Sequence, residues 1–177
     1  MDAAYQADPL PGRQIVQTGL EKAPEGDVGL LINEMIKNRD FWMPFATSMK
    51  EERVHDYLKW PQSLNSKDKE LYAPYMSITF DTTELALTDL PAALHPYDHT
   101  SRPQMVTRES NLKYWTLVDH FEKLTVKNNQ KGIGGVLNTS FNLHGEPNVE
   151  TPYDAIRTFD LSGMRHLAIG DYLVSKE

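Results

Sequence analysis

The chain has 177 residues, 40% of them hydrophobic and 24% charged, which is enough to build one globular domain with a sizeable core. Its formal charge of −7 opposes the long-range attraction on which non-specific nucleic-acid binders rely, yet leaves room for a few converging arginines that hold a small anion. The absence of cysteine excludes a disulfide framework and a thiolate metal site. The opening segment, Met1 to Leu20, is broken by Asp2, Asp8 and Arg13 and reads as neither a secretory signal nor a membrane span. A cytoplasmic protein without a membrane or nucleic-acid partner is expected.

Residues 1–26 contain Pro9, Pro11, Pro24, Gly12, Gly19 and Gly26 without a clean apolar period, and are expected to form a flexible or irregular arm. The folded domain is expected over 27–177. Val28, Leu31, Ile32, Met35 and Ile36 fall at helical spacing behind Asp27, a capping residue, so a short amphipathic helix is predicted to end by Asn38. Phe45 to Met49 reads as a strand and Lys50 to Leu58 as a polar helix. Met76, Ile78 and Phe80 alternate with Ser77 and Thr79, the pattern of a half-buried strand. Tyr114, Leu117, Val118, Phe121 and Leu124 line one face of a longer helix, which places the polar pair Asp119 and His120 on a solvated face. Ile133 to Asn138 is a short apolar strand entered through glycines. Thr151, Pro152 and Asp154 combine a capping hydroxyl, a first-turn proline and a capping-box carboxylate, predicting a helix that stops at Gly163. Leu167 to Val174 closes the chain as a strand. Mixed β and α segments without a regular βαβ repeat give an α+β fold with a largely mixed sheet.

The segment Asn138-Thr-Ser-Phe-Asn-Leu-His-Gly-Glu-Pro147, followed by the helix start Thr151-Pro-Tyr-Asp-Ala155, resembles the signature of carbamoyltransferases that modify nodulation factors and antibiotics. Three further stretches fall in the same order: Lys37-Asn-Arg39 through Pro44-Phe-Ala46, His95 through Arg102-Pro-Gln-Met-Val-Thr-Arg-Glu109, and Gly163 through Ile169-Gly-Asp-Tyr-Leu-Val174. The likeness covers about residues 27 to 176. Lys37-x-Arg39-x4-Pro44 and Thr139-Ser-x-Asn142-x2-Gly145 are also similar to the two ligand motifs of YrdC-type and Sua-type threonylcarbamoyl-adenylate synthases.

The resemblance implies the carboxy-terminal domain of an O-carbamoyltransferase, with a YrdC-like mixed β-sheet and flanking helices. In that family the domain converts carbamoyl phosphate and ATP, the latter with magnesium, into carbamoyl adenylate. A separate metal-containing transferase domain then passes the carbamoyl group to a hydroxyl. Bringing two polyanions together demands fixed cations and preorganised donors. Lys37 and Arg39 suit that task, and Arg102 and Arg108 could close on phosphate from another loop. Arg39 and Arg102 are the expected catalytic cations. Asn138, Thr139, Ser140 and Asn142 are expected to bind the carbamoyl group and nucleotide, with Gly145 admitting a close backbone approach.

Simpler readings stand beside these. Lys37 and Arg39 could be solvated surface cations, Asn138 to Gly145 a turn satisfied by its own side chains, and Arg102 or Arg108 a structural cation. His95, Asp98 and His99 could bind a metal, but their spacing is loose, so no metal site is expected. Trp42, Trp60 and Trp115 read as packing groups. Met43 stands where the family often has another basic residue. The family's Gly-Pro-Arg-Ala-Leu-Gly stretch is not reproduced around Arg13. The missing arginine and the acceptor site are therefore expected from a separate transferase-domain protein. The alternative function is a non-catalytic nucleotide- or protein-binding remnant of the domain.

Overall fold

The computed structural model describes residues 3–7, 14–18, 37, 43, 45–60, 73–127 and 130–176. The chain divides into two compact units, one of Met1–Met43 with Asn138–Glu177 and the other of Pro44–Leu137. The helix expected over Val28 to Ile36 and the side chain of Trp42 lie outside the described residues.

In the first unit, β1 (Ala3–Ala7) pairs antiparallel with β2 (Gln14–Thr18), with Ala3 opposite Thr18 and Ala7 opposite Gln14. The segment expected to be an irregular arm therefore contains two strands. Gln-Ile-Val-Gln-Thr is a β-favouring run bounded by breakers, too short for its period to stand out, and its second neighbour comes from the far end of the chain. That neighbour is β6 (His166–Ile169), which pairs antiparallel with β2 and with β7 (Tyr172–Ser175), completing the order β1-β2-β6-β7. The single strand expected from Leu167 to Val174 is thus a hairpin. Gly170 supplies the turn with φ of +58°, a conformation that side-chain-bearing residues rarely adopt.

The second unit holds a mixed three-stranded sheet in which the strand 46–50 lies between the strands 103–106 and 135–138. Its central strand β3 (Ala46–Lys50) runs parallel to β4 (Pro103–Val106), with Ser48 opposite Gln104. The connection between them carries a 3₁₀ turn at Glu51–Arg53, the short helix α1 (Val54–Tyr57) and α2 (Glu84–Asp89). Helix α3 (Leu112–Leu124), capped by the Asn111 side chain on the Tyr114 amide, follows β4 and leads to β5 (Gly135–Asn138). Met49, Val54, Tyr57, Leu58, Phe80, Leu90 and Met105 form the core, with Trp60 stacked on Phe80 at 5.3 Å between ring centroids. Helices and strands in this arrangement make the fold α+β.

The strand expected at Met76 to Phe80 is absent. Met76 has φ of +56° and Ile78 is 44% exposed, and only Phe80 forms a bridge, to Ser101. An alternating pattern becomes a strand only where a partner ladder exists, and here the pairing stops at single bridges.

Candidate functional site

Strand β5 delivers the chain into the segment that resembled a ligand motif. Asn138 and Thr139 are each 6% exposed, and Phe141, buried behind them, receives a hydrogen bond on its carbonyl from the Val149 amide at 3.0 Å. Leu143 to Glu146 close a turn, with the Glu146 amide 3.1 Å from the Leu143 carbonyl and Gly145 at φ +78°. Gly145 occupies the third turn position, where a positive φ requires glycine or asparagine. The far side of the loop is tied down when Arg157 grips both carboxylate oxygens of Glu146, at 3.1 and 2.9 Å. Arg157 sits on α4 (Pro152–Leu161), which starts as expected: the Thr151 hydroxyl accepts from the Asp154 amide while the Asp154 carboxylate accepts from the Thr151 amide. The helix ends at Leu161, two residues before Gly163.

Lys37 enters this loop from the other end of the sequence. Its side chain is buried, and its ammonium donates to the Ser140 Oγ at 2.8 Å, the Asn142 Oδ1 at 2.6 Å and the Asn142 carbonyl at 3.2 Å, with the Ser140 carbonyl as a further acceptor. The Ser140 hydroxyl in turn donates to Asn142 Oδ1 at 2.6 Å, and the Asn142 amide nitrogen donates to the Leu143 and Glu146 carbonyls at 3.1 and 2.7 Å. Three of the expected binding residues therefore meet at one point. Arg39 lies outside the described residues.

In the other unit, Arg102 is exposed immediately before β4 and Arg108 is exposed between β4 and α3. The Arg108 guanidinium lies over the Trp115 ring at 3.9 Å from its centroid. Stacking uses the flat face of a guanidinium and leaves its edge for hydrogen bonds, which restrains an anion-binding arginine without occupying it. Trp115 is packed as expected, and its indole N–H donates to Glu52 at 3.1 Å.

A set of charged groups that the sequence did not bring forward lies beneath the approach to β5. Arg53, 4% exposed, pairs with Asp56 at 2.6 Å and with Glu122, and donates to the Gly132 carbonyl at 2.7 Å and the Tyr57 hydroxyl at 3.1 Å. That hydroxyl accepts from the Gly134 amide at 2.9 Å and donates to Asp89 at 3.0 Å. Burial pushes the Tyr57 phenol well up, so it stays a protonated donor. Lys50 pairs with Asp119 at 2.8 Å and with Glu122, and burial, which would lower its pKa, is outweighed by those hydrogen bonds, so the net direction is up. Asp119 is thus not on a solvated face of α3 but turned onto β3, against expectation. Helical periodicity identifies a polar stripe; it cannot show that a buried lysine waits opposite. His120 is exposed, and Phe121 half-buried. His95 and Asp98 form a pair at 3.0 Å within a turn whose Thr100 amide and hydroxyl also donate to Asp98, and among the described residues no group of three or more His, Asp or Glu is placed to hold a metal ion.

Residues 13–176 match the model of the carbamoyltransferase C-terminus family. The chain belongs to that family. It is 34% identical, over 145 residues, to the nodulation protein NolNO of Sinorhizobium fredii, covering 82% of this chain and 19% of the relative. The nodulation protein NolO of Bradyrhizobium diazoefficiens matches at 34% identity, with 82% of this chain and 24% of the relative covered. An uncharacterised protein of Methanocaldococcus jannaschii matches at 34%, over 82% of this chain and 25% of the relative. The chain spans about a quarter or less of the length of these curated relatives. Family membership supports a carbamoyltransferase-related role for the domain. Among the described residues no helix is long and apolar enough to cross a membrane.

Proposed function

We propose that this chain is the ATP- and carbamoyl-phosphate-binding module of an O-carbamoyltransferase, with a YrdC-like architecture. It forms carbamoyl adenylate, which a separate transferase domain or subunit passes to a hydroxyl acceptor. The observation that carries this reading is the meeting of Lys37 with Ser140 and Asn142, 103 and 105 residues further along the chain. Two short motifs of a ligand-binding type gain weight when the fold joins them.

In this reading the chemistry is phosphoryl-group substitution with no protein nucleophile. ATP enters as its magnesium complex, a carbamate oxygen derived from carbamoyl phosphate bonds to the α-phosphorus, and pyrophosphate leaves; one water is consumed as carbamoyl phosphate gives up inorganic phosphate. The protein's part is positioning and charge neutralisation. Arg39 and Arg102 are the catalytic cations, and Arg108, held on Trp115, presents its edge to a phosphate. Asn138, Thr139, Ser140, Asn142 and Gly145 form the loop that receives the carbamoyl group and nucleotide.

The second reading, a non-catalytic remnant that retains the fold, draws on one observation: the side-chain hydrogens of Ser140 and Asn142 are all directed at protein acceptors. Calorimetric titration with magnesium–ATP and with carbamoyl phosphate separates the two. The module binds both, and Arg39→Ala weakens binding by roughly ten- to a hundredfold with unchanged melting, the worth of one charged hydrogen bond. Absence of heat with either ligand leaves the remnant reading.

A further inference from the structure

We infer that Lys37 is a positioning residue: its ammonium serves as the internal counter-cation around which the Ser140 to Asn142 loop folds, and it acts on a bound anion through that loop, not by contact. The proposal uses the ligand reading only for the loop's purpose; the folding of the loop is a property of the ligand-free chain.

An ammonium has three N–H donors and no acceptor. Four oxygens converge on the Lys37 ammonium: the carbonyl and hydroxyl oxygens of Ser140, and the carbonyl and Oδ1 of Asn142. With the residue only 2% exposed, water has little access to the charge, and these oxygens take the place of its hydration shell. The dependence runs both ways. Four oxygens of two near neighbours turned toward one point repel one another, and a cation at that point is what makes the turn favourable.

The remaining donors of the cluster are committed as well. The single Ser140 hydroxyl hydrogen goes to Asn142 Oδ1 at 2.6 Å, and the two Asn142 amide hydrogens go to the carbonyls of Leu143 and Glu146 at 3.1 and 2.7 Å. A phosphate oxygen only accepts, so it can reach Lys37 only by displacing an acceptor already in place. A solvated surface lysine is excluded by the burial, and a waiting phosphate ligand by the saturation. Replacement by arginine does not reproduce the arrangement, because a planar fork directs its hydrogens outward along two edges and cannot place them on oxygens gathered around a point.

The test reads the loop without any ligand. Hydrogen–deuterium exchange is followed in peptides covering 138–146 in the full chain and in Lys37→Met and Lys37→Arg. Both variants should exchange at least tenfold faster in this segment, while α3 and β3 keep their protection. Unchanged exchange in Lys37→Met overturns the proposal, and a loss of ATP affinity beside it makes Lys37 a direct ligand. Should the variants fail to fold, the wild-type chain decides: the Lys37 ammonium resonance should exchange slowly with water in the free protein and hold its position when magnesium–ATP or pyrophosphate is added. A resonance absent from the free protein, or one displaced on adding either anion, contradicts the assignment. Failure of the chain to bind ATP at all leaves the exchange result standing, so the two readings fail separately.

Discussion

The side chain of Arg53 occupies the space that a Cβ on Gly134 would need: a methyl built there lies 2.5 Å from Arg53 Cγ and 2.9 Å from its Nη1. Glycine at this position is a packing requirement. At Gly132 the obstacle is backbone, since an added Cβ falls on the Glu122 carbonyl. Gly134→Ala should therefore cost about 1 to 3 kcal/mol, the usual range of overpacking, because the obstructing Cγ lies near the root of a buried side chain held by several partners. Gly132→Ala should cost more, because α3 itself has to move. Urea unfolding of both variants checks the order; a reversed order or wild-type midpoints contradicts it.

Arg53 also joins α1, α3 and the entry to β5 through four partners. Arg53→Met leaves the half-buried Glu122 with Lys50 as its remaining ion-pair partner among the described residues and removes the donor to the Gly132 carbonyl. Destabilisation on the order of 3 kcal/mol is expected, the usual consequence of removing one side of a buried ion pair. The same unfolding measurement reads it. A loss below about 0.5 kcal/mol would place Arg53 among exposed ion pairs of little consequence.

Acid should loosen this network. Hydrogen bonds from Lys123 and Lys50 hold the Asp119 carboxyl down to about 2, and burial opposes them without prevailing. At Asp56, burial acts upward but is outweighed by hydrogen bonds from Arg53 and Lys131, so its pKa is also lowered. A carboxyl depressed in the folded state contributes fully above its unfolded value of about 3.9, and the contribution is lost as pH falls towards its folded value. Thermal melts from pH 6 to pH 2 should show the wild type converging on Asp119→Asn at the acid end. Parallel curves for the two proteins would show that Asp119 is not the group responsible.

How legible these features were depends on the distance over which each is determined. The Thr151 and Asp154 capping box and the apolar stripe of α3 are local patterns; the box forms as read, while the stripe buries Tyr114 and Val118, half-buries Leu117 and Phe121, and leaves Leu124 exposed at the last turn. The Gly170-Asp171 pair is a two-residue link of the kind hairpins use, but it sits within an apolar run that reads as one strand. The Met76 to Phe80 alternation shows the opposite case, a strand pattern with no ladder to join. Arg53 and Glu122 stand 69 residues apart, and nothing in either neighbourhood marks the other as its partner. Lys37 and Asn142 were linked beforehand only because their motifs resemble those of a family, since neither helical nor strand periodicity relates them. The match of residues 13–176 to the carbamoyltransferase C-terminus family bears that resemblance out, whereas the inward commitment of their donors is visible only in the folded chain.

On the proposed function this domain activates a carbamoyl group as an adenylate, and release of pyrophosphate reports that step. The purified chain is supplied with magnesium–ATP, and pyrophosphate is measured with and without carbamoyl phosphate, alone and with a transferase-domain protein of the family. Pyrophosphate is expected only when carbamoyl phosphate is present, with that signal lost in Arg39→Ala and no carbamoylated acceptor formed by the chain by itself. Pyrophosphate formed equally without carbamoyl phosphate, or none under any of these conditions despite a folded chain, would contradict the proposed function.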